Sequence, residues 1–143
     1  MLFGKRKRAV KRILVVEDEP LTAFENETLL TDAGYQVVAT LDSFEDAMAI
    51  LDREQIDLIL SDVRLRSQQT GVDLARAAKA RGIPTLFATG HPYPEASAVA
   101  VGCLIKPYSG RQLKAALETV DRHLTGEKTT PPKGLELFVP PAE

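Results

Sequence analysis

Short apolar runs that end on polar side chains constrain the fold of this chain more than any other feature. The run at 57–61 ends on Asp62, and a similar run at 13–16 precedes the acidic residues 17–19. Short apolar runs between polar boundaries are typical of strands buried on both faces of a sheet. A carboxylate at the C-terminal end of such a strand lies at the edge where open parallel sheets bind their ligands.

Helical patterns follow these runs in turn along the chain. The predicted strands cover residues 13–16, 36–41, 57–61, 84–89 and 103–105. The apolar stripes of the predicted helices lie within residues 21–29, 44–51, 74–78, 95–101 and 113–124. Strands and helices that alternate through five rounds indicate an α/β fold, in which helices cover both faces of a parallel sheet. Right-handed crossovers then bring the C-terminal ends of all the strands to one edge.

Two of the predicted helices carry details that the structure can test. The stripe of the first helix that is expected to face the core consists of Leu21, Phe24, Thr28 and Leu29. The fourth helix, over residues 95–101, is short and built mainly of alanine, serine and valine. We therefore expect it to be the least stable helix of the fold.

Length and charge divide the chain into three parts. One domain is expected for 143 residues, and we assign it to residues 12–124. Six of the 18 Lys and Arg residues lie in or next to residues 1–11, which we interpret as a solvated basic leader. Residues 125–143 form a proline-containing tail, for which a disordered end is favoured over docking through the apolar residues 135–139.

Composition excludes several classes of protein. No apolar stretch approaches the roughly 20 residues that a membrane helix requires. The basic N-terminus lacks the apolar region of a signal peptide. The one cysteine, Cys103, rules out an internal disulfide framework and fits a reducing compartment. We therefore expect a cytoplasmic protein.

The carboxylates gathered at the predicted edge indicate a cation site. Several carboxylates at one edge repel each other unless a cation is present. Oxygen ligands in a water-accessible position favour Mg²⁺, which keeps several of its waters. Asp18 and Asp62 are the expected direct ligands, with Glu17 binding directly or through a water.

Asp62, Thr89 and Lys106 supply the groups that a phosphorylation site needs. An aspartate can act as a nucleophile and form an acyl phosphate. Lys106 offers a compact positive charge for a phosphate oxygen or for the resting carboxylate. The Thr89 hydroxyl can close onto an attached phosphoryl group. Phosphoryl transfer depends mainly on positioning and charge neutralisation, so these side chains suffice without a substrate pocket.

These residues resemble the motifs of bacterial response-regulator receiver domains, over residues 12–124. The matching pieces are residues 13–19, the strand before Asp62, Thr89, and Lys106 with Pro107. The resemblance implies a flavodoxin-like (βα)5 fold, a doubly wound parallel sheet with strand order 2-1-3-4-5. It implies that Asp62 accepts a phosphoryl group from a histidine kinase or a histidine phosphotransfer protein.

The resemblance also implies a Mg²⁺ site and a backbone feature. Glu17, Asp18, Asp62 and the backbone carbonyl of Arg64 would surround Mg²⁺. The peptide bond between Lys106 and Pro107 would be cis. Apart from self-phosphorylation and self-dephosphorylation of Asp62 with Mg²⁺, no enzyme activity is expected.

The sequence departs from the receiver pattern at several positions. Gly71 lies one residue further from Asp62 than in chemotaxis-like receivers, and Arg66 replaces a common proline. Cys103 stands where receivers usually carry an aromatic residue on the fifth strand. Residues 87–93 resemble the Phe-Ala-Thr-Gly…Tyr signature of a subset of single-domain regulators. We hypothesise that Tyr93, in the loop after Thr89, moves on phosphorylation in place of a fifth-strand ring.

Three functions are compatible with these residues. The first is a stand-alone receiver, a monomer or weak dimer that acts as a shuttle, a phosphate sink or a protein-binding switch. Its downstream target would bind the face formed by the fourth helix, the fifth strand and the fifth helix. The second is a pseudo-receiver scaffold whose binding ignores phosphorylation. The third, a regulator that binds DNA through the basic leader, lacks a helix-turn-helix segment.

Overall fold

The computed structural model describes residues 8–65, 68–91 and 93–138. The helices are α1 (Pro20–Asp32), α2 (Phe44–Arg53), α3 (Gly71–Ala80) and α4 (Gly110–Leu124), with a 3₁₀ helix at Pro94–Ala98. The strands are β1 (Arg12–Val16), β2 (Gln36–Leu41), β3 (Leu58–Ser61), β4 (Thr85–Thr89), β5 (Gly102–Ile105) and β6 (Leu135–Leu137). The sheet order is β2-β1-β3-β4-β5-β6. The predicted flavodoxin-like order 2-1-3-4-5 is thus confirmed, with a sixth strand beside β5.

Helices cover both faces of the sheet because β1 to β5 run parallel and are joined by crossovers. Along β1, Ile13 and Val15 face one apolar cluster, whereas Leu14 and Val16 face another. The first cluster contains Leu30 of α1 and four buried apolar residues of α4. These four belong to the predicted stripe of that last helix, whereas its fifth member, Leu124, is 37% exposed. The second lies under α2 and α3. Strands buried on both faces explain the uninterrupted apolar runs of the sequence.

The core-facing stripe predicted for α1 was wrong at Leu21, Phe24 and Thr28, whereas Leu29 is half-buried and packs against the first cluster. Leu21 and Phe24 are 64% and 66% exposed, and the buried face consists of Ala23, Asn26 and Leu30. The prediction failed because it left the polar residue Asn26 out of the buried face, where the structure places it. The tertiary contacts of Asn26 decide how the helix is rotated against the sheet, and they are invisible in its periodicity.

The fourth predicted helix is a single 3₁₀ turn, Pro94–Ala98, instead of an α-helix over 95–101. Its hydrogen bonds run from the amide of Ala96 to the carbonyl of Tyr93 and from Val99 to Ala96, at 3.0 and 3.1 Å. Such short i to i+3 turns are common where a segment is too short to propagate an α-helix.

The described residues near each end of the chain, 8–11 and 125–138, are more ordered than the sequence predicted. Residues Leu135–Leu137 pair antiparallel with β5, so the disordered tail was the wrong choice for this segment. Near the N-terminus, the buried carboxylate of Asp121 accepts hydrogen bonds from the amides of Ala9 and Val10 at 3.3 and 2.8 Å. Arg8 stacks 4.2 Å from the ring centroid of Tyr35, so this end of the basic leader is docked.

Candidate functional site

Two neighbouring strands deliver the acidic residues to the same edge of the sheet. β1 and β3 pair in parallel with Val16 opposite Ser61, and each strand ends there. The amide of Asp62 donates to the carbonyl of Val16 at 2.9 Å, which fixes the chain just past the two strand ends. Glu17 and Asp62 therefore emerge side by side, as the parallel topology predicts.

Glu17, Asp18 and Asp62 form an acidic cluster in which one ligand atom from each residue lies within 4.8 Å of the others. Glu17 is buried, whereas Asp18 and Asp62 are half-buried and reachable by water. The amide of Arg64 donates to Oδ1 of Asp62 at 3.2 Å and holds that carboxylate in place. A set of carboxylate oxygens at an accessible edge fits Mg²⁺.

Lys106 follows β5, which is two strands away from β3 in the sheet. Its side chain extends along the same edge, past the ends of β4 and β3, to reach the acidic cluster. Its Nζ donates to Oε1 of Glu17 at 2.7 Å and to Oδ2 of Asp62 at 3.0 Å. The peptide bond between Lys106 and Pro107 is cis, as the resemblance implied. Three carboxylates and one ammonium leave two negative charges, which matches the charge of a divalent cation.

Burial and ion pairing act together on the charges of this site. Burial raises the pKa of Glu17 above its usual value, and the hydrogen bond from Lys106 offsets only part of this effect. Burial alone would lower the pKa of Lys106, but its hydrogen bonds to Glu17 and Asp62 outweigh burial and raise that pKa. Lys106 therefore remains a cation beside Asp62.

Thr89 lies on the same edge but makes its hydrogen bonds within its own loop. Its hydroxyl donates to the carbonyl of His91 at 3.2 Å and accepts from the amide of His91 at 3.3 Å. The backbone carbonyl of Thr89 accepts from the amide of Lys106 at 2.8 Å, which ties the ends of β4 and β5 together. The structure thus brings Lys106 into direct contact with Asp62, and Thr89 onto the adjacent strand end.

Sequence reasoning missed a contact that supports the site, between Tyr108 and Asn26. The hydroxyl of Tyr108 donates to Oδ1 of Asn26 at 2.9 Å, and Asn26 is only 3% exposed. This bond joins α1, which follows the acidic residues, to the loop that carries Lys106. A buried asparagine between apolar helix positions was the available signal, because a buried amide needs a partner.

Gly71, which the sequence marked only by its spacing from Asp62, also supports the site. A Cβ atom there would overlap the backbone oxygen of Asp62 and would lie 2.9 Å from Cα of Val63. Glycine is therefore required for α3 to start directly behind Asp62. Thr70 and Asp73 form a capping box that fixes this helix start. Arg66, which the sequence marked as a departure, lies outside the described residues.

Cys103 occupies a buried position on β5 within an apolar cluster that also contains Tyr93 and Phe138. Burial raises the pKa of its thiol to about 11, with a further contribution from the negative charge of Glu136. Burial therefore disfavours the reactive thiolate, and Cys103 serves as a small apolar residue of the strand.

Comparison with known proteins identifies the class. The response regulator receiver domain family matches residues 13–118, so the chain belongs to this family. The sensory transduction protein LytR of Staphylococcus haemolyticus is 28% identical over 134 residues, which cover 83% of this chain and 52% of LytR. The chemotaxis protein CheY of Pseudomonas aeruginosa is 27% identical over 124 residues, covering 80% of this chain and 99% of CheY.

Solved structures agree with this assignment. The chemotaxis response regulator CheY4 of Vibrio cholerae superimposes with a TM-score of 0.69 at 30% identity, covering 79% of this chain and 98% of CheY4. The chain spans about half or less of the first curated relatives that it matches, since it covers 52% of LytR and 31% of the regulator PhyR of Methylorubrum extorquens.

Family membership places the chain in two-component signalling. Receiver domains are signal-transduction modules that work with histidine kinases, and they bind Mg²⁺ at an acidic pocket of the kind formed here by Glu17, Asp18 and Asp62. No DNA-binding domain is seen among residues 8–65, 68–91 and 93–138. None of the helices described has the length and apolar character needed to span a membrane.

Proposed function

We propose that this chain is a phosphorylation-controlled regulator that accepts a phosphoryl group on Asp62 from a histidine kinase or a histidine phosphotransfer protein. It then acts as a shuttle, a phosphate sink or a protein-binding switch, with Mg²⁺ held by Glu17, Asp18, Asp62 and the backbone carbonyl of Arg64. The observation that carries this proposal is the ammonium of Lys106 placed 2.7 Å from Glu17 and 3.0 Å from Asp62.

The reaction is a transfer from nitrogen to oxygen. A carboxylate oxygen of Asp62 attacks the phosphorus atom, the P–O bond forms, and the P–N bond to the donor histidine breaks with its electron pair returning to the imidazole. Mg²⁺, when bound, neutralises the phosphoryl oxygens. The amide of Arg64 and the ammonium of Lys106 hold the two oxygens of Asp62, which orients the nucleophile. Hydrolysis of the acyl phosphate by water would reset the site.

Phosphotransfer from a labelled histidine kinase tests this function. We expect wild type to take up a base-labile label and Asp62→Asn to take up none. Asp52→Asn is the matched control, because Asp52 lies on the surface of α2 and pairs with Arg81. Label retained by Asp62→Asn but lost on mutating another residue would move the acceptor and contradict the proposal.

The exposed apolar residues of α1 indicate where the donor protein packs. Leu21 and Phe24 are 64% and 66% exposed on the helix that begins two residues after Asp18. A donor histidine that reaches Asp62 must cover this neighbourhood, and large exposed apolar side chains favour protein contacts. Phe24→Ser should therefore slow transfer from the kinase while leaving phosphorylation by the small donor phosphoramidate unchanged.

The control for this surface is Leu124→Ser, since Leu124 is 37% exposed at the end of α4 that lies away from the site. Equal losses with the kinase and with phosphoramidate in Phe24→Ser would show that the site itself was damaged. Unchanged transfer with both donors would contradict the docking role of α1.

A scaffold that binds partners regardless of phosphorylation is the alternative. The observation that favours it is Cys103, because β5 carries no aromatic ring at that position. The two functions differ in one measurement. A scaffold would bind its partner equally well as wild type and as Asp62→Asn, with or without a phosphodonor, whereas a switch would not.

A further inference from the structure

The C-terminal segment of the chain occupies the edge of β5. β6 pairs antiparallel with β5, with Leu137 opposite Gly102 and Leu135 opposite Leu104. On either side of the paired residues, the amide of Ile105 donates to the carbonyl of Gly134 and the amide of Phe138 donates to the carbonyl of Val101, both at 2.9 Å. The strand edge on the predicted partner-binding face is therefore already filled by this chain.

Gly102 shows that this edge is shaped for a closely approaching strand. A Cβ atom at this position would lie 2.6 Å from the carbonyl oxygen of Glu136 and 3.3 Å from a side-chain carbon of Leu137. The three nearest atoms all belong to β6, so glycine is needed at 102 because of that strand. The sheet edge and its occupant thus fit each other at the backbone level.

Two apolar anchors hold the occupant, one on each face of the sheet. Leu135 is 7% exposed and packs with the cluster under α1 and α4. Phe138 packs on the other face with Val99 and Cys103. Phe138 lines two cavities, of about 240 and 420 Å³.

Phe138 also shares its cluster with the loop that follows Thr89. Tyr93 packs against this cluster and lines the smaller cavity together with Cys103 and Phe138. The hydroxyl of Thr89 makes both of its described hydrogen bonds to the backbone of His91. A hydroxyl that bonded to a phosphoryl group on Asp62 would give up these bonds to His91, which precedes Tyr93 in the same loop.

We propose that the edge of β5 and the apolar cluster around Cys103 form a docking surface for an extended segment of a partner protein, which adds as an antiparallel strand. β6 is the resident internal ligand of this surface and shows the chemistry that fits it, an apolar-x-apolar-aromatic sequence anchored as Leu135 and Phe138 are. Phosphorylation of Asp62 releases β6 and opens the surface. The release step rests on the proposed function.

The docking surface is tested first without phosphorylation. The full chain with Leu135→Asp and Phe138→Asp loses both anchors, which frees the edge of β5. A fluorescent peptide with the sequence of residues 131–138 should bind this variant, and it should bind wild type at least ~10-fold more weakly because the tethered strand competes at high effective concentration. A peptide carrying the same two aspartates is the control. If the native peptide fails to bind the folded variant, the proposal that the edge of β5 is a docking surface is wrong.

The release step is tested on wild type by amide hydrogen exchange, so it does not depend on the folding of any variant. We expect the amides of Ile105 and Phe138 to exchange faster when beryllium fluoride with Mg²⁺ mimics the phosphoryl group on Asp62. Unchanged protection with the analogue bound would overturn the coupling. If the analogue fails to bind Asp62, the proposed function fails instead, and the peptide experiment still decides the surface.

Gly102→Ala supplies an independent variant with a small change. The three atoms nearest to its methyl group all belong to β6, so the substitution should weaken the pairing of β6 with β5. The amide hydrogen of Ile105 should then exchange faster even without the analogue. Glu136→Ala, on the exposed side of β6, is the control and should leave exchange unchanged. A phosphorylated dimer that the peptide dissociates would assign the surface to a second copy of this chain and overturn the partner-protein occupant.

Discussion

Replacing Lys106 with methionine removes the ammonium that contacts both Glu17 and Asp62 while keeping a side chain of similar length. Glu17 has 2% of its side chain exposed and Lys106 has 25%. Removing one partner of a buried ion pair costs about 3–5 kcal/mol, because the remaining charge stays buried without compensation. Since a quarter of the Lys106 side chain meets water, we expect the lower end, about 3 kcal/mol of unfolding free energy.

Mg²⁺ should recover part of this loss. A ligand at 100 times its dissociation constant stabilises the folded state by about 2.7 kcal/mol. The Lys106→Met variant should bind Mg²⁺ more tightly than wild type, because the ammonium no longer opposes the cation. The difference in stability between the two proteins should therefore be smaller in saturating MgCl₂ than in EDTA.

Urea unfolding followed by far-UV circular dichroism measures both differences. Lys114→Met is the matched control, because Lys114 lies exposed on α4. A surface substitution of this kind should change stability by no more than about 0.5 kcal/mol. If Lys106→Met and Lys114→Met agree within that margin in EDTA, the charge balance argued for this site is wrong.

Three further substitutions or measurements test other parts of the structure. Tyr108→Phe leaves the buried Asn26 amide without its 2.9 Å partner and should cost about 1–3 kcal/mol in urea unfolding, with Tyr93→Phe as the control. Gly71→Ala should displace the backbone of Asp62 and abolish Mg²⁺ binding measured by calorimetry; normal affinity would contradict the close contact. Alkylation of Cys103 should accelerate about tenfold per pH unit up to its pKa of about 11; a plateau near pH 9 would show an ordinary, exposed thiol.

The functional edge was predictable because its residues follow apolar runs directly. Asp62 comes straight after β3 and Lys106 straight after β5, so strand ends located from the sequence also locate these side chains. Parallel topology then requires the ends to converge, and no side-chain contact needs to be known in advance. The same logic placed Glu17 and Asp18 beside Asp62.

Other features depended on contacts between distant segments. The exposure of Leu21 and Phe24 was mispredicted because the buried side of α1 carries the polar Asn26, whose partner Tyr108 lies 82 positions further along the chain. The docking of residues 135–137 was missed because three residues carry too little periodicity to identify a strand. This segment pairs with β5, whose Gly102 allows the two backbones to approach closely. Nothing in the sequence around residue 135 indicates that contact.

The sequence by itself determined the alternation of strands and helices and the acidic edge with its lysine, whereas the strand order was implied by the resemblance to receiver domains. The alternation and the shared edge follow from local patterns and from the chirality of crossovers. Tertiary structure alone decided the rotation of α1, the 3₁₀ turn after Tyr93 and the capture of the C-terminal strand by β5. Each of these depends on a few buried contacts between segments far apart in sequence, and local patterns carry no information about such contacts.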